Sequence, residues 1–192
     1  MKTGILGGTF NPVHNAHLFV AQEVSIKLNL KKIFLIPDNI PPHKNYKNEI
    51  KQEQRLEMLK IATKDNELFS VLDIELKRGG VSYTIDTVQE IYNKYNITEK
   101  AVFIIGADLL PELNLWKDID KLKELVKFVV YGRNDENVDR ILKDYTWVDK
   151  ISGPEMDISS SMIRQRIKEN KSIKYLVPEN VREYMKKNSL YL

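Results

Sequence analysis

The sequence contains no cysteine and only three histidines among its 192 residues. Without thiols the chain can form neither disulfide bonds nor a cysteine nucleophile, which is typical of a protein in a reducing compartment such as the cytoplasm. No apolar run is long enough to span a membrane, and the amino terminus reaches a predicted strand too early for a signal peptide. The net charge of +3 is small and dispersed, so it favours small anionic substrates over nucleic acid. We therefore expect a cytoplasmic protein with neither a membrane nor a nucleic-acid partner.

Two common phosphate-binding motifs are also missing. No glycine precedes a lysine, which excludes the Gly-x-x-x-x-Gly-Lys-Ser/Thr loop, and Gly-x-Gly-x-x-Gly does not occur. The chain is therefore neither a P-loop kinase nor a standard dinucleotide-binding dehydrogenase. The lack of cysteine and of a third ligand at metal-like spacing argues against a zinc site on the amino-terminal histidines.

The first seventeen residues carry the densest pattern in the chain. Gly4–Leu6 predicts a buried parallel strand, and the Gly-Gly pair that follows predicts a sharp turn with room for a ligand. Asn11 and Pro12 predict the cap and the first position of a helix. His14 and His17 would then share one face of the first helical turn, where free N–H groups and the helix dipole suit phosphate. The histidines could be ordinary polar residues, but their spacing within this motif favours a phosphate site.

A second motif of this type lies near the carboxyl terminus. Ser159, Ser160 and Ser161 predict the start of a helix, and Arg164 lies one turn inside it. Hydroxyl groups at a helix start together with a bidentate cation make a second anion site. A capped helix alone would explain the serines, but it would not explain the arginine as well.

A proline-stiffened loop follows the second predicted strand, Ile33–Ile36. Pro41 and Pro42 fix the backbone that carries His43 and Lys44 at the carboxyl end of this strand. Open α/β sheets bind ligands at that edge, although a plain surface loop is the alternative.

Ligand-type residues also lie further along the chain. Tyr83 and Thr84 stand at a predicted helix start, which offers unpaired N–H groups to an anion but can equally be an ordinary cap. Asp108 and Arg133 each follow a predicted strand, where a carboxylate can accept hydrogen bonds from ribose hydroxyls. Trp116, taken alone, is most simply a packing residue.

Strands and helices alternate between these motifs. The predicted strands after the first are Ile33–Ile36, Leu68–Leu76, Ala101–Ile105, Phe128–Tyr131 and Tyr145–Ile151. The predicted helices follow His17 and span Glu53–Lys64, Ser82–Tyr92, Asp135–Lys143 and Pro178–Lys187. Arg55, in the second helix, is interpreted as a structural residue that pairs with the preceding loop. The pattern predicts an α/β fold in one domain of residues 1–192, a Rossmann-like doubly wound parallel sheet with a small helical carboxyl-terminal portion from about 157 to 192.

The segment that carries a family resemblance is Gly7-Gly8-Thr9-Phe10-Asn11-Pro12-Val13-His14-Asn15-Ala16-His17. It closely resembles the signature of nucleotidyltransferases with the T/HxGH motif, and more narrowly that of bacterial nicotinate mononucleotide adenylyltransferases. The later motifs resemble the same family over the whole chain and in the same order. The family usually has Asp where Asn11 stands and Gly where Ala16 stands, and it often has Arg-Pro-Gly where this chain has Arg133-Asn134-Asp135.

The resemblance implies adenylyl transfer from ATP to nicotinate mononucleotide, giving deamido-NAD and pyrophosphate in NAD biosynthesis, with Mg²⁺ carried by ATP. It implies catalytic roles for His14, His17 and Arg164. The implied ATP- and phosphate-binding residues are Gly8, Thr9, Phe10, Asp108, Arg133, Ser159 and Ser160. The implied nicotinate-nucleotide-binding residues are His43, Lys44, Tyr83, Thr84 and Trp116.

In the resemblance, the helix start at Tyr83 and Thr84 binds the pyridine carboxylate, and Trp116 stacks on the pyridine ring. No residue is assigned to a protein-bound metal. Three points stay open at this stage. They are a related transferase with another acceptor such as nicotinamide mononucleotide or phosphopantetheine, a non-catalytic nucleotide-binding protein, and a homo-oligomeric state.

Overall fold

The structure, a computed structural model, describes residues 1–42, 50–132 and 136–192. In this part of the chain six strands form one parallel sheet in the order β3-β2-β1-β4-β5-β6. The strands are β1 (Thr3–Gly8), β2 (Lys32–Pro37), β3 (Phe69–Val71), β4 (Ala101–Ile105), β5 (Val126–Gly132) and β6 (Val148–Ser152). The helices are α1 (Asn15–Leu28), α2 (Gln52–Thr63), α3 (Ile74–Arg78), α4 (Thr84–Lys94), α5 (Ile119–Leu125), α6 (Glu136–Leu142), α7 (Ser160–Lys168) and α8 (Glu179–Lys187), and a 3₁₀ helix spans Ala107–Leu115.

Helices cover both faces of the sheet. Successive residues of a strand face opposite sides, so Leu6 of β1 lies in one apolar core and Ile5 in the other. Buried residues of α1, α2, α7 and α8 belong to the first core, and those of α4, α5 and the 3₁₀ helix belong to the second. All five residues of β4 are apolar and buried, as a parallel strand covered on both faces requires. The doubly wound α/β fold predicted from the sequence is confirmed.

The strand order reverses at β1, and this reversal positions the site. The chain builds outward from β1 to β2 and β3, and then returns to place β4 on the other side of β1. Connections leave β1 and β4 in opposite directions, which opens a crevice at the carboxyl ends of these two strands. Ligands of open α/β sheets bind in that crevice.

The turn after β1 differs from the prediction. The strand continues through both glycines, since Gly8 pairs with Pro37 of β2, and α1 begins only at Asn15 with His14 as its cap residue. The sharp turn lies instead around Phe10, whose φ is 48°. The predicted helix start at the Asn-Pro pair is therefore wrong. Asn11 does not cap the helix, because its side chain and carbonyl bond to distant parts of the chain instead.

The predicted strand Leu68–Leu76 is wrong over its second half. The strand β3 ends at Val71, and the short helix α3 follows from Ile74. The alternating pattern of this segment fits a strand, but Glu75 is buried in the structure and bonds to α4. This tertiary contact overrides the local pattern. The other predicted elements are present, with ends that differ by at most three residues.

None of the helices in the described ranges is both long enough and apolar enough to cross a membrane.

Candidate active site

A cavity of about 540 Å³ lies at the carboxyl ends of β1 and β4. Gly8 at the end of β1 and Gly106 just after β4 line it, so it occupies the crevice where the strand order reverses. Its apolar lining includes Phe103, Leu109 and Trp116. The polar residues of the lining are Thr9, Asp38, Glu75, Ser82, Tyr83, Thr84, Thr87, Glu112 and Lys117. A volume of this size suits a small organic ligand held by a few polar groups.

The two histidines form a stacked pair at the start of α1. The ring centroids of His14 and His17 are 3.6 Å apart, and Phe10 packs edge-on against His17 at 5.0 Å. The backbone N–H of His14 donates to Nδ1 of His17 at 3.2 Å. A ring nitrogen that accepts an N–H bond carries no proton, so neutral His17 holds its proton on Nε2 and presents a donor there.

Burial keeps this pair uncharged in the free protein. Loss of hydration lowers the pKa of His14 to about 4. The same effect lowers the pKa of His17 well below its usual 6.5, and repulsion from a charged His14 lowers it further. The Nδ1 atom of His14 is buried and has no hydrogen-bond partner among the described residues. At neutral pH the pair therefore provides hydrogen-bond donors and acceptors rather than fixed positive charge.

The carboxyl-terminal serine motif packs against the turn that carries the histidines. Ser159 caps α7, since its Oγ accepts the N–H of Met162 at 3.1 Å. Ser160 Oγ donates to the carbonyl of Pro12 at 2.9 Å, and Arg164 Nη1 donates to the carbonyl of Asn11 at 2.7 Å. The structure thus brings the start of α7 against the turn that leads into α1, although the two motifs lie at opposite ends of the chain.

A buried arginine holds the other side of the same turn. Arg55 is fully buried; its Nη1 donates to the carbonyl of Thr9 at 2.7 Å and to Oδ1 of Asp38 at 3.3 Å. Thr9 Oγ1 donates to the second carboxylate oxygen of Asp38 at 2.8 Å. The interpretation of Arg55 as a structural residue that pairs with the loop after β2 is confirmed. The turn between β1 and α1 is therefore held from both sides.

The start of α4 forms another wall of the cavity. Tyr83 is the cap residue of this helix and Thr84 its first residue, and both line the cavity. Lys117 Nζ lies 4.6 Å from the centroid of the Tyr83 ring, which places a cation beside this helix start. Trp116 faces the cavity and also packs edge-on against Phe103 at 5.9 Å. It is thus a packing residue and a cavity residue at once.

Glu75 is a site residue that the sequence analysis missed. Its Oε1 accepts the hydroxyl of Thr87 at 2.6 Å inside the protein, and its side chain faces the cavity. Burial raises the pKa of Glu75, and hydrogen bonds from Thr87 and Ser82 partly offset this rise. The sequence carries no distinctive signal for this role, because Glu75 stands between Ile74 and Leu76 just as Asp73 stands between Leu72 and Ile74. Because a strand was predicted in place of α3, the sequence did not indicate that the side chain of Glu75 faces the cavity.

Of the remaining predicted site residues, two lie within the described ranges and three lie outside them. Asp108 is exposed at the start of the 3₁₀ helix, and its carboxylate folds back so closely that a Cβ on Gly106 would collide with its Oδ1. Phe10 is buried, so only its backbone could contact a nucleotide. The predictions on His43, Lys44 and Arg133 fall on residues outside the described ranges.

The fold and the site together define a class of protein. A doubly wound parallel sheet with a cavity at its switch point, and with two helix starts packed together at the turn after β1, has the features of Rossmann-like proteins that bind nucleotides. A cytidylyltransferase-like family model matches residues 5–166. The chain therefore belongs to the cytidylyltransferase-like family.

Curated relatives narrow the assignment. A probable nicotinate-nucleotide adenylyltransferase of Bacillus anthracis is 42% identical over 190 residues, which cover 99% of this chain and 98% of the relative. A probable nicotinate-nucleotide adenylyltransferase of Dictyoglomus turgidum is 42% identical over 196 residues, with 100% of this chain and 96% of the relative covered. Within the cytidylyltransferase-like family, the chain belongs to the nicotinate-nucleotide adenylyltransferases. The family resemblance predicted from the sequence is confirmed.

Solved structures agree on the fold. The nicotinic acid mononucleotide adenylyltransferase of Plasmodium falciparum, solved in complex with NaAD, superimposes with a TM-score of 0.76 at 24% identity, covering 100% of this chain and 98% of that chain. The same enzyme in complex with APC gives a TM-score of 0.74 at 22% identity, covering 99% and 96%.

Proposed function

We propose that this protein transfers the adenylyl group of ATP to nicotinate mononucleotide in the cytoplasm, producing deamido-NAD and pyrophosphate for NAD biosynthesis. The observation that carries the proposal is a single arrangement. The stacked pair of His14 and His17 stands at the start of α1, and Arg164 bonds to the turn that leads into this helix. The same turn carries Thr9, which lines the cavity that contains Trp116 and the start of α4. The histidine pair and Arg164 suit phosphates. Trp116 and the start of α4 suit an aromatic ring that carries a carboxylate.

The chemistry needs no nucleophile from the protein. An oxygen of the 5′-phosphate of nicotinate mononucleotide attacks the α-phosphorus of ATP and forms the new P–O bond. The bond from the α-phosphorus to the oxygen that bridges to the β-phosphorus breaks, and its electron pair leaves with pyrophosphate. The protein has to align the two substrates and stabilise the charge that moves onto the leaving group.

We assign the phosphate contacts to the two helix starts. His17 presents Nε2–H as a donor, and His14 lies stacked on it at the positive end of the α1 dipole. Phosphate charge next to the pair would raise the pKa of both imidazoles, so protonation would accompany ATP binding. Ser160 and Arg164 at the start of α7 are assigned to the leaving pyrophosphate. Gly8, Thr9, Phe10, Ser159 and, outside the described residues, Arg133 complete the proposed set.

The other contacts complete the proposal for both substrates. Asp108 accepts hydrogen bonds from a ribose, and His43 and Lys44 help to hold phosphate. Mg²⁺ enters as part of the ATP substrate, because the described residues offer no group of three or more His, Asp and Glu side chains for a metal. The protein residues named here bind the phosphates that such an ion would accompany.

The cavity beside Trp116 is assigned to the pyridine ring. The backbone N–H groups at the start of α4, near Tyr83 and Thr84, would donate to the ring carboxylate. The indole of Trp116 would stack on the ring, and Lys117 adds a positive charge on the same side. A nicotinamide ring would present its own N–H donors to these groups and leave them unpaired, which favours the acid.

The test is a panel of acceptors with one readout. Pyrophosphate release from ATP and Mg²⁺ is measured with nicotinate mononucleotide, nicotinamide mononucleotide or phosphopantetheine as the acceptor. We expect the highest rate with nicotinate mononucleotide and a product with the mass of deamido-NAD. Release that does not depend on an acceptor, or a higher rate with either alternative, would contradict the proposal.

A further inference from the structure

The two ends of the chain meet at the turn between β1 and α1. Tyr191, the second-to-last residue, is 5% exposed, and its hydroxyl donates to Oδ1 of Asn11 at 2.6 Å in a buried contact. The two residues are 180 positions apart in the sequence. A buried hydroxyl bond between side chains so far apart in the sequence is a specific long-range contact.

The backbone after α8 adopts an uncommon path to make this contact. Ser189 and Tyr191 have φ angles of 50° and 65°, in the left-handed region that non-glycine residues normally avoid. The intervening Leu190 is buried in the same core as Tyr191. The burial of these two side chains and the hydroxyl bond offset the backbone strain.

The partner of Tyr191 occupies a central position in the turn. Asn11 is buried, and its own carbonyl accepts the bond from Arg164, so its side chain and its backbone are held by different parts of the carboxyl-terminal portion. His14 lies three residues further along and caps α1. A displacement of Asn11 would therefore move the acceptor of Arg164 and the backbone that leads to the histidine pair.

We propose that Tyr191 is a positioning residue for adenylyl transfer and acts through Asn11, which it holds in the geometry that aligns Arg164 with His14 and His17. The kinetic test of this role rests on the proposed function, because it measures adenylyl transfer. It assigns to the end of the chain a part in the site that lies at its beginning. Because Tyr191 acts on the protein and not on a substrate, its loss should lower kcat and leave both Michaelis constants almost unchanged.

The first experiment removes only the hydroxyl group. Tyr191→Phe in the full chain leaves the buried amide oxygen of Asn11 without this donor, so Asn11 is no longer held in place. We therefore expect kcat to fall about tenfold. The Michaelis constants for ATP and nicotinate mononucleotide should stay within about threefold. The matched control is Tyr184→Phe, which removes a hydroxyl from a half-buried tyrosine of α8 and should leave kcat within about twofold of wild type.

A double-mutant cycle separates positioning from general packing. Asn11→Ala should lower kcat, and Tyr191→Phe should cause almost no further loss in that background, because the two residues act as a pair. Asn11→Asp keeps an acceptor for the tyrosine and should lose less kcat than Asn11→Ala. If Tyr191→Phe fails to fold, this comparison at Asn11 takes over the test, and equal losses in the two variants would then overturn the proposal.

An NMR readout makes the result independent of activity. The imidazole C–H signals of His14 and His17 in the substrate-free protein should shift in Tyr191→Phe and remain in place in Tyr184→Phe. If these shifts occur but wild type releases no pyrophosphate with nicotinate mononucleotide, the proposed function fails and the positioning of the turn stands. Unshifted signals, a kcat of Tyr191→Phe within twofold of wild type, or losses that multiply in the double mutant would overturn the role of Tyr191.

Discussion

At the scale of the residue, the site depends on polar groups that are buried before any substrate arrives. The stacked imidazoles of His14 and His17 remain neutral because burial penalises their charged forms. Glu75 retains its proton more readily than an exposed carboxyl group for the same reason. A neutral pair beside the proposed phosphate site can take up a proton if ATP binds there, whereas a permanently charged pair could not.

The buried histidines make stability depend on pH with a definite sign. The pKa of His14 is about 4 in the folded protein and about 6.5 when unfolded, so the unfolded chain binds more protons between these values. The stabilisation is fully present above pH 6.5 and is lost as the pH falls towards 4. At full size it amounts to about 3 kcal/mol for His14. Urea unfolding of the wild type and of His14→Asn from pH 8 to 5 measures this, and equal pH slopes for the two proteins would contradict it.

Removing either imidazole should mainly affect the chemical step. His17→Ala should lower kcat about a hundredfold or more, equivalent to about 3–4 kcal/mol of transition-state stabilisation, with smaller changes in the Michaelis constants. His14→Ala should behave similarly. Steady-state kinetics with both substrates provides the measurement, and activity within threefold of wild type for both variants would exclude the assigned role.

At the scale of the element, continuous apolar runs predicted the buried strands well. A short run such as Ala101–Ile105, which is apolar throughout and rich in β-branched residues, suits a parallel strand that is covered on both faces, so the local pattern was a good guide there. The turn after β1 was not predictable in this way. The left-handed Phe10 and the buried Asn11 are stabilised by Arg55, Arg164 and Tyr191, which local sequence cannot reveal. The helix α3 was missed for the same reason, since the contact of Glu75 with α4 decides its conformation.

Trp116 directly follows the 3₁₀ helix, and its packing role and its proposed stacking role can be separated by experiment. In a Trp147→Phe background Trp116 is the sole tryptophan, so saturable quenching or a shift of its emission should accompany binding of nicotinate mononucleotide. Trp116→Ala should weaken that substrate by about 1–3 kcal/mol, with base–aromatic stacking as the nearest measured case. ATP binding should change much less.

The opposite result for this tryptophan is equally specific. Trp116 packs against Phe103 and Phe128 in the second core. If Trp116→Ala weakens both substrates equally, or lowers only the melting temperature, then packing is its whole role.

At the scale of the whole molecule, the strand order explains why distant motifs form one site. In a parallel sheet the carboxyl ends of all strands share an edge, so the residues after β1 and β4 were expected there. The neighbouring position of these two strands, and the docking of α7 on the turn after β1, depend on long-range contacts that the sequence motifs alone do not specify. The sequence predicted the doubly wound parallel sheet, which the structure confirms, but it predicted neither of these two contacts.

The metal requirement follows from the same arrangement. We expect transfer to require Mg²⁺ or Mn²⁺, while the protein without ATP binds little of either ion, since the described carboxylates form no metal-binding group. Calorimetric titration of Mg²⁺ into the protein, first alone and then with a non-hydrolysable ATP analogue, measures this. Tight binding to the protein alone would reveal a metal site that the proposal lacks.

The choice of acceptor tests the central claim most directly. The measurement is kcat/KM for nicotinate mononucleotide and for nicotinamide mononucleotide, with saturating ATP and Mg²⁺ in one buffer. The N–H groups at the start of α4 can pair with a carboxylate but not with the donors of an amide, so we expect the acid to be preferred by at least about tenfold. Equal values, or a preference for the amide, would contradict the assignment of the cavity beside Trp116 to the nicotinate ring.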